Sequence, residues 1–318
     1  MAFYLGIDGG GSKTTCAVGD ESSQLATAVA GPSNITRVGE VRARESLHQA
    51  IREACAAAKI APQQVQRACI GVAGAGRTEV ARTVRTIVAE LISGEIEVVA
   101  DMPIALEAAF GGGAGVIVIA GTGSFAYGRN AQGRTARAGG WGFAISDEGS
   151  AHWIGRAAVA GVLHAIDQEQ DQRKDAQASA TALPLFRGLK AAWKLNSLDE
   201  FVRAANSNPD FAALLPAIVA AADAGDALAQ RVLSQAGGEL SRLAGIVIRR
   251  LFTGQDVGSL DVWLSMAGGV FRYSTRVRGA FCDEVRKVYA QVSVNPQVVE
   301  PVTGALQMAR HGHNSRLK

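Results

Sequence analysis

The sequence predicts an α/β protein of two domains, with a helical insertion in the second domain. Three observations support this fold class. Strand-like apolar runs alternate with helical periodicity, a strand, a glycine turn and another strand occur twice, and a helical block interrupts the later half. At 318 residues and 48% hydrophobic content, the chain has enough apolar residues for two cores.

Residues 3–18 (FYLGIDGGGSKTTCAV) predict a β-hairpin whose turn carries few side chains. Consecutive glycines permit positive φ and leave backbone N–H groups bare, which suits an oxyanion as well as a chain reversal. Asp8 lies where the first strand meets the turn, and Ser12 follows the turn. A carboxylate beside bare amides is expected where hydrated Mg²⁺ joins it to phosphates, because hard cations prefer oxygen ligands. The alternative is an ordinary glycine turn.

A loop at residues 30–36 comes before a predicted helix over residues 40–59. Asn34 is the candidate polar residue of this loop, although Ser33 and Asn34 after a proline commonly only shape a turn. Residues 67–73 predict a buried strand and residues 78–92 another helix. This alternation predicts a largely parallel sheet.

Asp101 follows a predicted strand at residues 95–100 and precedes a short helix that reaches about residue 110. Ligands of open α/β sheets lie beyond the carboxyl ends of strands, so Asp101 is placed where chemistry is expected. The alternative is an N-cap, because Asp with Pro103 soon after it is a common helix start.

The hairpin pattern returns at residues 115–128 (GVIVIAGTGSFAYG), offset by 112 residues. At this offset Ile7, Gly9, Gly11 and Ser12 fall on Ile119, Gly121, Gly123 and Ser124. A repeated phosphate-binding hairpin implies two similar domains that face one ligand. A dinucleotide fingerprint must open a helix, whereas a strand and a turn are predicted after Gly123. A P-loop also fails, because Ser12-Lys13 replaces the required Lys-Ser/Thr.

Residues 139–150 (GGWGFAISDEGS) place a rigid aromatic residue, bare backbone and two acids in one loop before a helix predicted at residues 151–166. This composition suits a polar, ring-shaped ligand. The alternative is a turn with an N-cap, for which Asp147 or Ser150 would serve.

The later chain predicts an exposed, mobile connection at residues 167–182 and then the helical block. Its helices are predicted at residues 184–194, 198–205, 211–224 and 227–251, the last broken at Gly237-Gly238. The sheet resumes at residues 260–266. Gly268-Gly269 then opens a helix at about residues 273–290, which allows either the approach of a flat or anionic ligand or close helix packing. Residues 292–299 predict a last strand, and residues 303–310 a closing helix with a small-residue face.

Composition argues against several classes of protein. The net charge of +3 equals the basic residues after residue 300, and no basic stripe with interleaved aromatics indicates nucleic-acid binding. Four cysteines without C-x-x-C spacing predict buried thiols in a reducing compartment. Neither a signal peptide nor an 18-residue apolar run is found, so a cytoplasmic protein that does not bind membranes is expected. The five histidines show no metal-ligand spacing.

With these motifs in view, the chain resembles the BadF/BadG/BcrA/BcrD-type branch of the sugar kinase, Hsp70 and actin superfamily, and most closely its N-acetylglucosamine kinases. IDGGGSKT, AGTGS and GGWGFAISDEGSAHWI carry the resemblance, which covers nearly the whole chain in the right order. Two positions depart from the family pattern. Ser12 replaces the more usual threonine, and Ser146 replaces a common glycine, which leaves the sugar's identity less certain.

The resemblance implies two ribonuclease H-like (actin-like ATPase) domains, with ATP and Mg²⁺ held between their hairpins. Residues 1–112 and 301–318 would form the first domain. Residues 113–300 would form the second, with the helical insertion at about residues 167–255.

The resemblance also implies roles for individual residues. Asp8 would organise the waters of Mg²⁺, and Asp101 matches the catalytic acid. The implied nucleotide-binding positions are Asp8, Gly10, Gly11, Ser12, Lys13, Gly121, Thr122, Gly123, Gly268 and Gly269. The implied sugar-binding positions are Asn34, Asp101, Gly140, Trp141 and Asp147.

The implied activity is ATP-dependent phosphorylation of N-acetylglucosamine or glucosamine at the 6-hydroxyl. A kinase for another sugar, such as N-acetylmuramic acid, is one alternative. A second alternative is an ATP-driven conformational activator with an iron-sulfur cluster between subunits, which needs cysteines near the domain interface. A small-molecule sugar is the expected partner, and a homodimer is left open.

Overall fold

The computed structural model describes residues 1–172, 183–207, 209–252 and 262–312. The chain divides into two compact units: a first unit of Met1–Gly115 with Val299–Lys318, and a second unit of Val116–Val298. Each unit contains one five-stranded sheet flanked by helices. This architecture confirms the predicted α/β class.

The first unit is built from two hairpin connections followed by strand-helix alternation. Its elements are β1 (Phe3–Gly9), β2 (Thr14–Gly19), β3 (Gln24–Ala30), α1 (Ile35–Ala57), β4 (Val65–Val72), α2 (Thr78–Ala89), β5 (Glu95–Val99) and α3 (Asp101–Phe110). The strand order is β3-β2-β1-β4-β5. β1 pairs with β4 and β4 with β5 in parallel, whereas β2 is antiparallel to both β1 and β3.

The sheet of the first unit is therefore mixed, and the prediction of a largely parallel sheet is wrong. The sequence reading missed β3, and the segment before β3 is too short for the crossover that a parallel connection needs. The three parallel strands nevertheless end at one edge of the sheet, which is the edge where ligands of such sheets bind.

The second unit repeats the hairpin and then adds the helical block. Its elements are β6 (Gly115–Ala120), β7 (Ser124–Arg129), β8 (Thr135–Gly139), α4 (Ala151–Gln172), α5 (Pro184–Ala192), α6 (Leu198–Asn206), α7 (Leu215–Asp223), α8 (Ala227–Phe252), β9 (Val262–Ala267), α9 (Gly269–Tyr273), α10 (Thr275–Val288) and β10 (Val292–Val299). The strand order is β10-β9-β6-β7-β8, with β6 parallel to β9 and β7 antiparallel to β8.

The last helix, α11 (Pro301–His311), returns to the first unit and packs against β1 and α3. Small residues permit this contact. A Cβ on Gly6 would collide with the backbone at Leu306, and a Cβ on Gly304 would collide with the backbone of Ile104. The predicted small-residue face of the closing helix is confirmed.

Several predicted boundaries differ from those observed. α4 continues through residues 167–172, which were predicted to be irregular, and residues 173–182 lie outside the described residues. α8 is unbroken at Gly237. Glycine is needed there for packing, because a Cβ would lie 2.7 Å from the Ala280 Cβ, and its absence allows α8 and α10 to approach closely. The helix predicted at residues 273–290 begins instead at Thr275, where the Ser274 hydroxyl caps α10. Residues 260 and 261 of the predicted strand are also outside the described residues.

No single helix in the described parts of the chain is long and apolar enough to cross a membrane. One bent pair, Phe211–Asp223 with Ala227–Phe252, meets the length and composition criteria together.

Candidate active site

The first glycine turn (residues 10–13) joins β1 to β2, and the Gly10 N–H donates to the Lys13 carbonyl at 2.9 Å. Asp8 is half-buried in β1, opposite Thr15 in β2 and Gly71 in β4. Half-buried Gly10 and Gly11 and exposed Ser12 and Lys13 form the turn.

Glycine at position 9, the last residue of β1, is needed for a different reason from the one expected. Neither Gly9 nor Gly10 has a positive φ. A Cβ on Gly9 would instead lie 2.5 Å from the Ser33 hydroxyl, so close packing excludes a side chain there.

The first cap loop (residues 31–34) lies directly against the first glycine turn. The N–H groups of Ser33 and Asn34 both donate to the Gly10 carbonyl, at 3.1 and 3.2 Å. The Asn34 side chain also caps α1 by accepting from the Thr36 N–H at 3.1 Å. Asn34 therefore has a structural role, although as a helix cap and not only as the turn residue that the alternative predicted. It also lies beside the predicted phosphate site.

Asp101 is the first residue of α3, and Ala100 occupies the N-cap position without a side-chain hydrogen bond. The N-cap alternative for Asp101 is therefore wrong. Asp101 is half-buried two residues beyond Val99, which pairs with Gly71, and Gly71 pairs with Asp8. Because adjacent strands are about 5 Å apart, Asp8 and Asp101 lie at the same sheet edge at a separation on the order of 10 Å.

The second glycine turn (residues 121–123) joins β6 to β7, and the Gly121 N–H donates to the Gly123 carbonyl at 2.9 Å. A Cβ on Gly121 would meet no atom of the described residues within 4 Å, which leaves room for a ligand beside half-buried Thr122. A Cβ on Gly123 would lie 2.6 Å from Asp147 Oδ2. The two glycines thus serve different purposes, open space at Gly121 and a packed carboxylate at Gly123.

The two turns differ in length, and this corrects the repeat derived from the sequence. Four residues separate β1 from β2 and three separate β6 from β7, so the offset is 111 between the ends of β1 and β6 and 110 between the starts of β2 and β7. Ser124 therefore matches Thr14, since both are buried first residues of the second strand, whereas Ser12 is exposed in its turn.

Asp147 lies in the second cap loop (residues 140–150), with 5% of its surface exposed. Its φ of +73° falls in the left-handed region, which is uncommon for a residue other than glycine and recurs at functional sites. The Gly142 N–H donates to its Oδ1 at 3.2 Å. Burial raises the pKa of the Asp147 carboxyl above its ordinary value, and this hydrogen bond only partly opposes the effect. An acid that is desolvated and packed on a glycine turn is a candidate for a binding position.

Ser150, rather than Asp147, caps α4, because the Trp153 N–H donates to its hydroxyl at 3.1 Å. Of the two residues predicted as possible caps, Ser150 is the correct one. Asp147 is therefore not needed as the side-chain cap of that helix.

Arg137 fixes the start of the second cap loop. Its guanidinium donates to the Gly139 carbonyl at 3.0 Å and to the Gly140 carbonyl, and it lies 5.6 Å from the ring centroid of Trp141. Gly139 and Gly140 both have positive φ, 75° and 71°. Trp141 is 71% exposed, so the loop presents the indole to solvent on a rigid support.

Gly268 and Gly269 connect β9 to α9. Gly268 has a φ of +99°, and a Cβ there would collide with the backbone of Ala120. The packing alternative therefore accounts for Gly268. The nearest atom to a Cβ on Gly269 would be in the Tyr273 ring at 3.6 Å, so packing does not require glycine at this position.

Sequence reasoning gave Thr14 and Arg137 no part in the site, took Ser33 only as a turn residue, and matched Ser124 to Ser12 instead of Thr14. The signal for Thr14 and Ser124 was a hydroxyl residue opening the second strand of each hairpin, but the constant offset of 112 hid the match. No sequence signal indicated that Arg137 contacts the loop that follows it.

The structure gathers the predicted residues into one cluster in each unit. Asp8, the first glycine turn, Asn34 and Asp101 share one sheet edge in the first unit. The second glycine turn contacts Asp147, and the loop of Asp147 also carries Gly140 and Trp141. Within the described residues, no three His, Cys, Asp or Glu side chains form a potential metal cage.

Comparison with known proteins gives consistent matches along the chain. The model of the BadF/BadG/BcrA/BcrD ATPase family matches residues 5–309. The chain is 31% identical over 312 residues to the N-acetylmuramic acid/N-acetylglucosamine kinase of Clostridium acetobutylicum, covering 98% of this chain and 99% of that protein. It is 30% identical over 260 residues to the N-acetyl-D-glucosamine kinase of Dictyostelium discoideum, covering 78% and 80%.

A solved structure, named as a candidate N-acetylglucosamine kinase from Chromobacterium violaceum, matches with a TM-score of 0.70 at 21% identity. The match covers 97% of this chain and 99% of that one. At this identity the likeness concerns the fold.

Proposed function

The chain belongs to the BadF/BadG/BcrA/BcrD ATPase family, and from that premise we propose that it transfers the γ-phosphoryl group of ATP to the 6-hydroxyl of an amino sugar. N-acetylglucosamine or glucosamine is the proposed acceptor. The observation that carries the proposal is the pairing, in each unit, of a glycine turn with an acid and a cap loop.

Asp101 is the proposed general base. In the transfer, the oxygen of the 6-hydroxyl forms a bond to the γ-phosphorus, its proton passes to the Asp101 carboxylate, and the bond to the bridging oxygen breaks to release ADP. The position of Asp101, half-buried beyond the carboxyl end of β5, supports this role.

The glycine turns are the proposed phosphate contacts. The proposed contacts are Gly10, Gly11, Ser12 and Lys13 in the first unit and Gly121, Thr122 and Gly123 in the second. The Gly10 and Gly121 N–H groups donate within their own turns, so the groups proposed to meet phosphate are the other backbone N–H groups, the hydroxyls and the Lys13 ammonium group. Gly121 supports this assignment best, because its missing side chain would occupy open space rather than protein. Gly269 is proposed to lie on the adenosine side, with Gly268 shaping the turn.

The cap loops are the proposed sugar contacts. The exposed Trp141 indole offers an apolar face for a pyranose ring, and the Asp147 carboxylate accepts hydrogen bonds from sugar hydroxyls. Asn34 is proposed to contact the sugar beside the first glycine turn, and Gly140 to let it approach the backbone.

The donor set fits a Mg²⁺ ion at Asp8. One carboxylate lies beside a turn of bare amides, and the described residues contain no cage of three or more ligand side chains. Mg²⁺ suits such a position because it keeps most of its waters and is held through few carboxylates together with phosphate oxygens. When bound, the ion would neutralise charge on the phosphates. Asp8 would orient it through water.

N-acetylmuramic acid is kept as a second acceptor, because the Clostridium acetobutylicum relative is named for both sugars. This sugar carries a lactyl ether on its 3-oxygen, so the two acceptors differ at position 3 and share the same 6-hydroxyl. A cytoplasmic location and a homodimer remain predictions, as does the absence of nucleic-acid and membrane partners.

The cysteines argue against the activator alternative. Cys16, Cys55 and Cys69 are buried in the first unit, and Cys282 is half-buried in the second. Burial raises the pKa of Cys55 to about 11 and also raises that of Cys16, and both thiols pack within the apolar core of the first unit. Iron-sulfur clusters need thiolate ligands that can reach the cluster.

A coupled assay of ADP release across N-acetylglucosamine, glucosamine, N-acetylmuramic acid and glucose tests the proposal. We expect one of the amino sugars to give the highest kcat/KM and glucose to be poor. ADP release that no sugar accelerates would refute the kinase function.

A further inference from the structure

Thr14 and Ser124 occupy equivalent positions in the two units. Each is the first residue of the strand that follows a glycine turn, and their exposed fractions are 0% and 1%. Neither hydroxyl is one of the proposed ligand contacts. Each hydroxyl is instead directed to the cap loop of its own unit.

In the first unit, the Thr14 hydroxyl donates to the Gly31 carbonyl at 2.7 Å and is hydrogen-bonded to the Ser33 hydroxyl at 2.7 Å. Ser33 is completely buried and immediately precedes Asn34. The loop is held a second time by the Ser33 and Asn34 N–H groups, which donate to the Gly10 carbonyl. Asn34 is thereby fixed relative to the first glycine turn by both side-chain and backbone hydrogen bonds.

In the second unit, the Ser124 hydroxyl donates to the Glu148 carbonyl at 2.7 Å. Glu148 immediately follows Asp147. A backbone bond again accompanies the hydroxyl, since the Ala151 N–H donates to the Gly121 carbonyl at 2.8 Å. The same pair of contacts therefore fixes Asp147 relative to the second glycine turn.

We propose that Thr14 and Ser124 are positioning residues, each of which locks a sugar-binding side chain to the phosphate-binding turn of its unit. We call the hydroxyl bond and its accompanying backbone bond the turn latch. The inference rests on the proposed function, because it takes Asn34 and Asp147 as sugar contacts and the glycine turns as phosphate contacts. Misplacement of reacting groups by 1 Å costs on the order of 100-fold in rate, which gives such a latch a catalytic purpose.

The latch is distinct from ordinary sheet pairing. Neither hydroxyl joins strand to strand, and each has one partner, Ser33 or Glu148, that lies next to the proposed sugar contact in the sequence. The Gly9 position gives further support in the first unit, because only glycine leaves room for the Ser33 hydroxyl that completes the latch.

Thr14→Val and Ser124→Ala test the proposal by removing each hydroxyl with little change in volume. One hydrogen bond is worth roughly 1 kcal/mol, so we expect kcat/KM for the sugar to fall about 5- to 10-fold in each variant. The KM for ATP should change less than about 2-fold, because the turn itself is intact. Thr14→Ser keeps the hydroxyl and should restore kcat/KM to within about 2-fold of wild type.

Ser265→Ala is the matched control for Ser124→Ala. Ser265 is also 1% exposed in the same sheet, and its hydroxyl has no hydrogen-bond partner among the described residues. Ser265→Ala therefore removes a hydroxyl at the same burial without removing a latch. We expect Ser265→Ala to retain wild-type kinetics.

Amide hydrogen exchange supplies a readout that does not depend on activity. Residues 31–34 should exchange faster in Thr14→Val, and residues 147–151 faster in Ser124→Ala, with no change at either loop in Ser265→Ala. Wild-type sugar kinetics in both folded variants would overturn the proposal, and so would equal losses for ATP and sugar or unchanged loop exchange. If the wild-type enzyme phosphorylates no sugar, the proposed function fails, whereas faster loop exchange in the variants would still support the latch.

Discussion

Each glycine turn carries a turn latch, but the acids near the two turns differ in burial. In the first unit, Asp8 is half-buried near the end of β1, and Asp101 is half-buried just beyond the end of β5. In the second unit, Asp147 is almost completely buried, strained, and packed on the turn itself. This difference fits the proposed division of roles, in which the acids of the first unit handle a proton and a metal and the acid of the second unit orients the sugar.

Asp101→Ala gives the largest expected effect and tests the first half of this comparison. Because proton transfer by a positioned base contributes typically 10²- to 10⁴-fold, kcat should fall by at least about 100-fold while ATP binding is retained. Steady-state kinetics and nucleotide titration measure the two quantities.

Asp199→Ala is the matched control for this variant. Asp199 is also an acid in the first turn of a helix and is exposed, so both variants lose the same interaction with the helix dipole, roughly 0.3–1 kcal/mol. If Asp101→Ala retained wild-type kcat, the assignment of the base would be wrong.

A pair of glycine variants separates the two purposes assigned to the second glycine turn. In Gly123→Ala the new Cβ would lie 2.6 Å from Asp147 Oδ2 and displace the carboxylate, so KM for the sugar should rise about 10-fold or more. In Gly121→Ala the new Cβ meets no protein atom, so the fold should be unaffected and KM for ATP should rise instead.

Kinetics for both substrates and thermal unfolding of the two glycine variants check this contrast. Identical kinetic changes in the two variants would show that packing and ligand binding are not divided between these glycines.

Arg137→Ala should have a smaller effect, because Arg137 acts through the loop that carries Trp141. Loss of its bonds to two carbonyls and of its stacking on the indole should raise KM for the sugar about 3- to 10-fold, with little change in KM for ATP. Arg137→Lys should not restore binding, since an ammonium group cannot reproduce the planar guanidinium fork. Recovery in the lysine variant would indicate that only the charge matters.

The smallest expected effect is on the free energy of unfolding and its dependence on pH, which Asp147→Asn tests. Burial raises the pKa of Asp147 in the folded state, so the carboxyl favours folding only while it is protonated, and this contribution is lost as pH rises through the folded-state pKa. Asn removes the buried charge, and the variant should be more stable than wild type at pH 7. The difference should vanish below the ordinary aspartate pKa of about 3.9.

Urea unfolding of Asp147→Asn and wild type at several pH values measures this difference. A variant that is less stable than wild type at pH 7 would show that the charged carboxylate is stabilised in the folded protein.

The sequence was sufficient for the features that depend on local pattern. Glycines between β-prone runs identified both hairpins, and apolar periodicity located the helices described between residues 184 and 252, because those signals are contained within a few residues. Ser150 could be recognised as a possible cap for the same reason.

Features that depend on long-range contacts could not be read from the sequence. The need for glycine at Gly9 comes from Ser33, and the need at Gly237 comes from α10, so both are set by residues that are distant along the chain. The left-handed backbone of Asp147 and the support of Gly140 by Arg137 likewise appear only once the loop is folded. The match between Thr14 and Ser124 was concealed because the two turns differ in length and the sequence comparison used one constant offset.

The position of the transferred phosphate tests the kinase function most directly. Wild-type enzyme with ATP, Mg²⁺ and N-acetylglucosamine should yield a sugar monophosphate whose ³¹P resonance couples to the two protons on carbon 6, and Asp101→Ala should yield none. Hydrolysis of ATP to ADP and inorganic phosphate without any sugar phosphate, from each amino sugar tried, would contradict the proposed activity.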